Sequence, residues 1–145
     1  MQERTPAQLY ALIIGAVLVL AGIVGFFYSA AFGSPGHTDA VLGILDVNGW
    51  HNVVHILSGV AGLALMGTAA GARAYALGLA VIYTIVAIWG FILGDHQSIL
   101  GFLPVNTEDN FLHALIAVAG YAAYAASAAT RTEGLATPAS SPGRP

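Results

Sequence analysis

Four long apolar segments constrain the fold of this 145-residue chain more than any other feature. A helix needs roughly 20 apolar residues to cross the hydrocarbon core of a bilayer, and each segment is close to that length. Charged side chains stand between or outside the segments, as expected where a buried charge is costly. The predicted membrane-spanning segments are about 9–28, 51–71, 75–93 and 111–130.

Composition indicates the same class of protein. Hydrophobic residues make up 57% of the chain and charged residues 8%, which is typical of an integral membrane protein. The formal net charge of −3 argues against a nucleic-acid partner, so the predicted partner is the lipid bilayer. The chain has no cysteine, which excludes disulfides and thiolate metal sites. Any bound metal would therefore rely on histidine, carboxylate or asparagine ligands.

The chain contains an internal repeat. Residues 42–64 align with residues 100–122 at an offset of 58 positions, and the segments before them share a fainter likeness. We therefore predict an all-α integral membrane protein. Its four transmembrane helices would form two tandem helical hairpins, related by a pseudo-twofold axis along the membrane normal. Each outer loop should form a short turn or helix at the membrane interface.

The domain boundaries follow from this repeat. A four-helix transmembrane domain is predicted at residues 1–131, with repeat one at about 9–71 and repeat two at about 75–130. The Pro-rich and Ser-rich residues 132–145 are predicted to form a disordered cytoplasmic tail. A cleaved signal peptide ending near residues 29–31 is the alternative for the first segment, but its removal would leave the repeat incomplete.

The arginines predict the orientation of the chain. Cytoplasmic loops retain positive residues, and all arginines lie on one side if both termini are cytoplasmic. These arginines are Arg4, Arg73, Arg131 and Arg144. All five histidines then lie on the outer side of a bacterial inner membrane.

Two polar stretches carry a resemblance to a known family. The outer loop that runs into residues 48–55 (NGWHNVVH), with the later residues 104–113 (PVNTEDNFLH), resembles the actinobacterial four-helix membrane proteins known as domain of unknown function 4383. The likeness covers roughly residues 8–130. It implies a four-helix membrane fold but no activity, so it assigns no catalytic residue.

The polar residues of these stretches share one face of each helix. Asn48, Asn52 and His55 are spaced by four and three residues. The equivalent residues of the second repeat are Asn106, Asn110 and His113. Asn48 and Asn106 are predicted helix caps, because an Asn side chain accepts a hydrogen bond from the amides of the first turn.

One hypothesis for the deeper residues is a polar clasp. A polar group buried in a membrane needs a hydrogen-bonding partner. His55 would bond Asn110, and His113 would bond Asn52, so that the two repeats hold each other. The protein would then be a structural or accessory membrane component, as a homo-oligomer or beside a membrane-complex partner, and not an enzyme.

A second hypothesis is a metal site. His51 and His55 are four residues apart, a spacing that lets two imidazoles of one helix bind the same metal, and Asp109 and His113 repeat it. Three imidazoles and one carboxylate suit Zn²⁺, Cu²⁺ or iron, for redox chemistry or sensing. His96, in the second outer loop, is a further candidate ligand or a group that titrates near neutral pH.

Two further hypotheses are weaker. A b-type haem between His55 and His113 is a variant of the metal site. Small residues dominate the helix faces below them, and no arginine lies on the outer side to pair with propionates. A small transporter would need charged residues within the membrane, and the segments below the histidines have none.

Overall fold

The computed structural model describes residues 3–33 and 39–136, with side chains up to residue 128. Helices dominate this part of the chain, and two short β-hairpins interrupt them. The elements, in chain order, are α1 (Pro6–Phe26), β1 (Asp39–Val41), β2 (Leu45–Val47), α2 (Gly49–Leu65), α3 (Ala69–Leu93), β3 (Gln97–Ile99), β4 (Leu103–Val105) and α4 (Thr107–Ala136).

Three helical stretches are long and apolar enough to cross a membrane: Pro6–Phe26, Ala69–Leu93 and Thr107–Ala128. These spans support the prediction of a membrane protein. Helix α4 continues to Ala136, so the predicted tail boundary at residue 132 falls within a helix. Residues 137–145 and the loop histidine His37 lie outside the described residues.

Helix α2 is shorter than the sequence predicted. The apolar segment was expected to extend to residue 71, but α2 has 17 residues and ends at Leu65. The reason is a helix cap, because the Thr68 side chain accepts a hydrogen bond from the Gly71 amide and starts α3 at Ala69. Residues 69–71 therefore belong to the third helix, although their composition continues the second.

The helices pack in sequential pairs, α1 with α2 and α3 with α4, and α1 also contacts α3 and α4. Gly15 of α1 faces Gly59 of α2, and a Cβ atom on either would meet the other's backbone. This close approach is the small-residue packing expected between membrane helices. Tyr10, Tyr75 and Tyr83 lie in the buried core between the pairs.

The outer loops are β-hairpins, which corrects the prediction of short turns or helices. Strands β1 and β2 pair antiparallel with Asp39 opposite Val47, and β3 and β4 pair in the same way with Gln97 opposite Val105. The turns contain successive positive φ angles, 55° and 71° at Leu42 and Gly43, and 54° and 77° at Leu100 and Gly101. Two successive positive φ angles are typical of type I′ turns, whose twist matches that of paired strands.

Candidate metal centre beside the hairpins

Three imidazoles converge where the hairpins meet the helix bundle. His51 and His55 come from the first two turns of α2, and His113 comes from the second turn of α4. Each offers one ligand nitrogen, and these three nitrogens lie within 4.8 Å of one another. His51 and His113 are each only 5% exposed. The structure thus brings together three of the four predicted metal ligands.

The predicted caps fix the starts of both helices and connect the two hairpins. Asn48 Oδ1 accepts a hydrogen bond from the His51 amide, and Asn106 Oδ1 accepts one from the Asp109 amide, both at 2.9 Å. Asn48 Nδ2 donates to Phe102 O and Asn106 Nδ2 donates to Ile44 O, both at 2.6 Å. Each asparagine therefore caps its own helix and binds the turn of the other hairpin.

The orientation of His51 is set by hairpin β1–β2. His51 Nδ1 lies 2.8 Å from the carbonyl oxygen of Asp46. A carbonyl oxygen only accepts hydrogen bonds, so this contact places the proton on Nδ1 and leaves the Nε2 lone pair available as a ligand. A backbone carbonyl that orients a histidine in this way is the usual neighbour of a metal-binding imidazole.

Asp109, the fourth predicted ligand, lies beside the cluster but outside its close group. It lines the same cavity as the three histidines. However, its Oδ2 atom accepts a hydrogen bond of 3.0 Å from the Asp46 amide. The residue equivalent to Asp46 in the second repeat is Pro104, which has no amide hydrogen to donate. Position 51 is the equivalent of Asp109 in the first repeat, and a carboxylate there would lack an amide partner. Position 51 carries an imidazole instead.

The reciprocal clasp predicted between histidines and asparagines is wrong in its pairing. Among the described residues, Asn52 Oδ1 and Asn110 Oδ1 are buried without a hydrogen-bond partner, as is His113 Nδ1. Asn52 Nδ2 instead donates to Ser29 O at 2.8 Å. The two asparagines turn toward α1 and α3, because glycines on those helices leave space for them. These glycines are Gly25, which faces Asn52, and Gly90, which faces Asn110.

Asp46 also joins the cluster to the surface. His96, which is exposed, approaches Asp46 Oδ2 to 2.9 Å through Nδ1. The hydrogen bond and the negative charge of Asp46 raise the pKa of His96 above its ordinary value. Nearby, hydrogen bonds from the Thr107 hydroxyl and amide lower the pKa of Asp95. These contacts hold the end of α3 against hairpin β1–β2 and the start of α4.

Two small apolar cavities flank the histidines. One, of about 90 Å³, lies against α1 and α4, and the other, of about 160 Å³, lies against α2 and α3. His51, His55 and His113 line both cavities. The cluster is therefore enclosed mainly by hydrocarbon side chains. In such surroundings, an imidazole nitrogen gains more from binding a ligand than it would in water.

Sequence reasoning missed two residues of this site. Asp46 is only 5% exposed and contacts His51, Asp109 and His96. The sequence offered one signal for Asp46, because the second repeat has proline at the equivalent position. Tyr83 packs its ring edge-on to His113 with 4.9 Å between ring centroids. It comes from the middle of α3, and its sequence position gives no sign of this contact.

Comparison with known proteins supports the resemblance seen in the sequence. A family model described as Domain of unknown function (DUF4383) matches residues 8–126. No curated protein and no solved structure matches the chain. The matched range includes both hairpins and all three clustered histidines. Because the match covers most of the 145 residues, the chain belongs to the DUF4383 family, a domain of unknown function.

Proposed function

We propose that this membrane protein binds one transition-metal ion through His51, His55 and His113. The observation that carries the proposal is the convergence of their ligand nitrogens within 4.8 Å in a buried site. Apolar surroundings disfavour unpaired polar atoms, yet His113 Nδ1 is buried there without a partner. A bound cation would bind the ligand nitrogens of all three imidazoles, which would offset the free-energy cost of burying them.

The geometry needs little change to hold an ion. Nitrogens bound to one tetrahedral Zn²⁺ at about 2.0–2.1 Å lie roughly 3.4 Å apart, so side-chain movements of about 1 Å would close the cluster. The carbonyl of Asp46 already orients His51. Asp109 lines the same cavity as the three histidines, and its carboxyl group is the fourth ligand in this proposal.

The chemistry of such a site is ligand exchange or redox at an open position. Sites with three protein ligands keep a coordination position for water or a small molecule. Imidazole ligands suit Zn²⁺, Cu²⁺ and iron. Haem is less well supported, because His51 lies within 4.8 Å of the two histidines that would hold the macrocycle between them. We therefore propose a bare ion that serves sensing or redox chemistry.

Metal titration of single variants tests this proposal. His55→Gln and His113→Gln should each weaken Zn²⁺ or Cu²⁺ binding by at least about tenfold, because each removes one of three ligands. His96→Gln is the matched control, since His96 lies outside the close group of nitrogens and should leave affinity unchanged. Equal metal affinity in all four proteins would overturn the proposal.

A structural role is the second candidate, and the cross-bonds of Asn48 and Asn106 favour it. Both bonds are 2.6 Å and join each helix start to the opposite hairpin. On this view the histidines pack as neutral rings, and the protein supports a membrane complex or a homo-oligomer. Full thermal stability of the double variant His55→Gln with His113→Gln, together with metal-free wild-type protein, would support this second role.

We infer that α2 is a fourth span and that the chain is a tandem duplication of a helical hairpin. Gln8 Nε2 donates to Met66 O at the end of α2, whereas Asn52 near its start donates to Ser29 O. Both ends of α2 thus lie beside the ends of α1. Its 17 residues extend about 26 Å, the lower limit for crossing a bilayer. The paired hairpins, offset by 58 residues in register, support the duplication.

We further propose a bacterial inner membrane with both termini cytoplasmic. Arg4 and Arg73 lie at the end of the bundle near the start of α1 and the start of α3. The carboxylates Asp46, Asp95 and Asp109 lie at the hairpin end. Cytoplasmic ends retain arginine, so this separation of charge favours hairpins on the outer side.

A further inference from the structure

A further, larger cavity lies at the opposite end of the bundle from the histidines. Its volume is about 670 Å³, and its walls come from the starts of α1 and α3 and the late turns of α4. The hydrogen bond from Gln8 to Met66 O places this end beside the last residues of α2, far from His51. The cavity is thus separate from the proposed metal site.

Among the residues whose side chains are described, Arg73 is the charged one in the cavity wall. Its guanidinium carbon lies 4.4 Å from the centroid of the Tyr124 ring, a cation–π contact that fixes its orientation. The Nε atom is buried without a hydrogen-bond partner. No carboxylate among the described residues pairs with Arg73. A buried donor on a fixed cation is costly unless an acceptor binds it.

The start of α3 adds to the positive potential of the same cavity. Ala69 and Ala70 form the first turn of α3 and line the cavity. First-turn amides have no partner within their helix and carry the positive end of the helix dipole. The cavity therefore attracts anions through Arg73 and through the start of α3.

The wall changes from polar to apolar toward the membrane interior. Leu77 lies one helical turn beyond Arg73 on α3, away from the helix start, and Ala74 lies beside it. A ligand with a charged head and a hydrocarbon body matches this gradient. A free ion would contact only the polar part of the wall, near the helix starts. The position at the end of three apolar helices is also the level of lipid headgroups.

We propose that this cavity binds an anionic glycerophospholipid, with Arg73 contacting the phosphate and Ala74 and Leu77 contacting the glycerol and first methylenes. Arginine binds phosphate through a planar set of donors, and its Nε is one of them. The bound phosphate would accept hydrogen bonds from the Arg73 guanidinium and from the Ala69 and Ala70 amides. The Gly71 amide already donates to the Thr68 side chain. This site is independent of the metal proposal.

The test measures binding of dioleoylphosphatidylglycerol to the full chain in mild detergent by native mass spectrometry. Wild-type protein should bind this lipid more tightly than dioleoylglycerol, which lacks the phosphate. Arg73→Gln should weaken lipid binding at least about tenfold, as expected for loss of a charge-assisted hydrogen bond. Arg4→Gln is the matched control, because it removes the same charge nearby but from a residue outside the cavity wall.

Each other outcome counts against the proposal. Equal binding by Arg73→Gln and wild-type protein, or equal binding of the two lipids, would overturn it. Inorganic phosphate that displaces the lipid at equal concentration would show a free-anion site and overturn the lipid assignment. If Arg73→Gln loses its helical circular-dichroism signal, Ala74→Leu replaces it, since added volume in the cavity should also weaken lipid binding with charge unchanged.

Discussion

The Asn110 side chain occupies space that is free only because residue 90 is a glycine. A Cβ atom at Gly90 would overlap the Asn110 side-chain oxygen, and Gly25 has the same relation to Asn52. Glycine in the middle of an apolar helix is usually a site of close packing. Here the glycines admit amide groups into the contacts between helices, one in each sequential helix pair.

This arrangement predicts that Gly90→Ala destabilises the protein by about 1–3 kcal/mol through overpacking. Thermal unfolding in detergent measures the effect. Gly78→Ala is the matched control on the same helix, because nothing lies within 4 Å of the added methyl group. Addition of Asn110→Ala should restore part of the loss. Equal stability of Gly90→Ala and Gly78→Ala would show that Asn110 is free to move aside.

The contact between His96 and Asp46 predicts a local pH dependence. Because the pKa of His96 is raised in the folded protein, the contact stabilises fully below the ordinary histidine value of about 6.5. This stabilisation is lost as pH rises through the raised value. NMR titration should show a lower His96 pKa in Asp46→Asn than in wild type, with Asp39→Asn as the unchanged control. An unaltered pKa in Asp46→Asn would exclude Asp46 as the cause.

At the scale of residues, the sequence predicted the histidine cluster better than its hydrogen bonds. Helical spacing and the repeat together identified His51, His55 and His113. The partners of Asn52 and Asn110 were predicted wrongly, because the two glycines that face them lie far away in sequence. Asp109 was diverted from the cluster by the amide of Asp46, a backbone contact that residue spacing does not reveal.

At the scale of elements, Asn48 combines two roles that one substitution separates. Asn48→Asp keeps the acceptor that caps α2 but replaces the donor to Phe102 O with an oxygen. We predict a loss of about 1–3 kcal/mol, the cost of leaving the half-buried Phe102 carbonyl without a partner. Thr68→Asp caps α3 without a second bond and should change stability by less than about 0.5 kcal/mol.

Thermal unfolding again provides the measurement for these caps. Asn106→Asp should behave like Asn48→Asp, since Asn106 makes the equivalent bond to Ile44 O. If both aspartate variants match Thr68→Asp in stability, the bonds between hairpins contribute little, and the structural candidate function loses its main support.

The elements themselves were predictable to different degrees. Apolar length identified the three spanning helices, and asparagine identified the starts of α2 and α4. The hairpins were missed because their strands have three residues each and leucine occupies the first positive-φ position, where asparagine is the usual signal. The end of α2 was missed because a threonine cap separates two helices of similar composition.

At the scale of the whole molecule, the proposed topology predicts opposite labelling of two loops. The chain has no natural cysteine, so Gly67→Cys and Gln97→Cys each introduce a single thiol at an exposed position. With four spans and cytoplasmic termini, Gln97→Cys should react with an impermeant reagent in intact cells. Gly67→Cys should react only after permeabilisation. Labelling of both from outside would contradict a transmembrane α2.

The metal content of the protein itself decides whether His51, His55 and His113 form a metal site. Full-length protein purified without a His tag, in mild detergent, is analysed for Fe, Cu, Zn and Mn after incubation with these ions and removal of the excess. We expect close to one ion per chain, retained in wild type and lost from His113→Gln. A stably folded wild-type protein that retains no metal would overturn the proposed metal site.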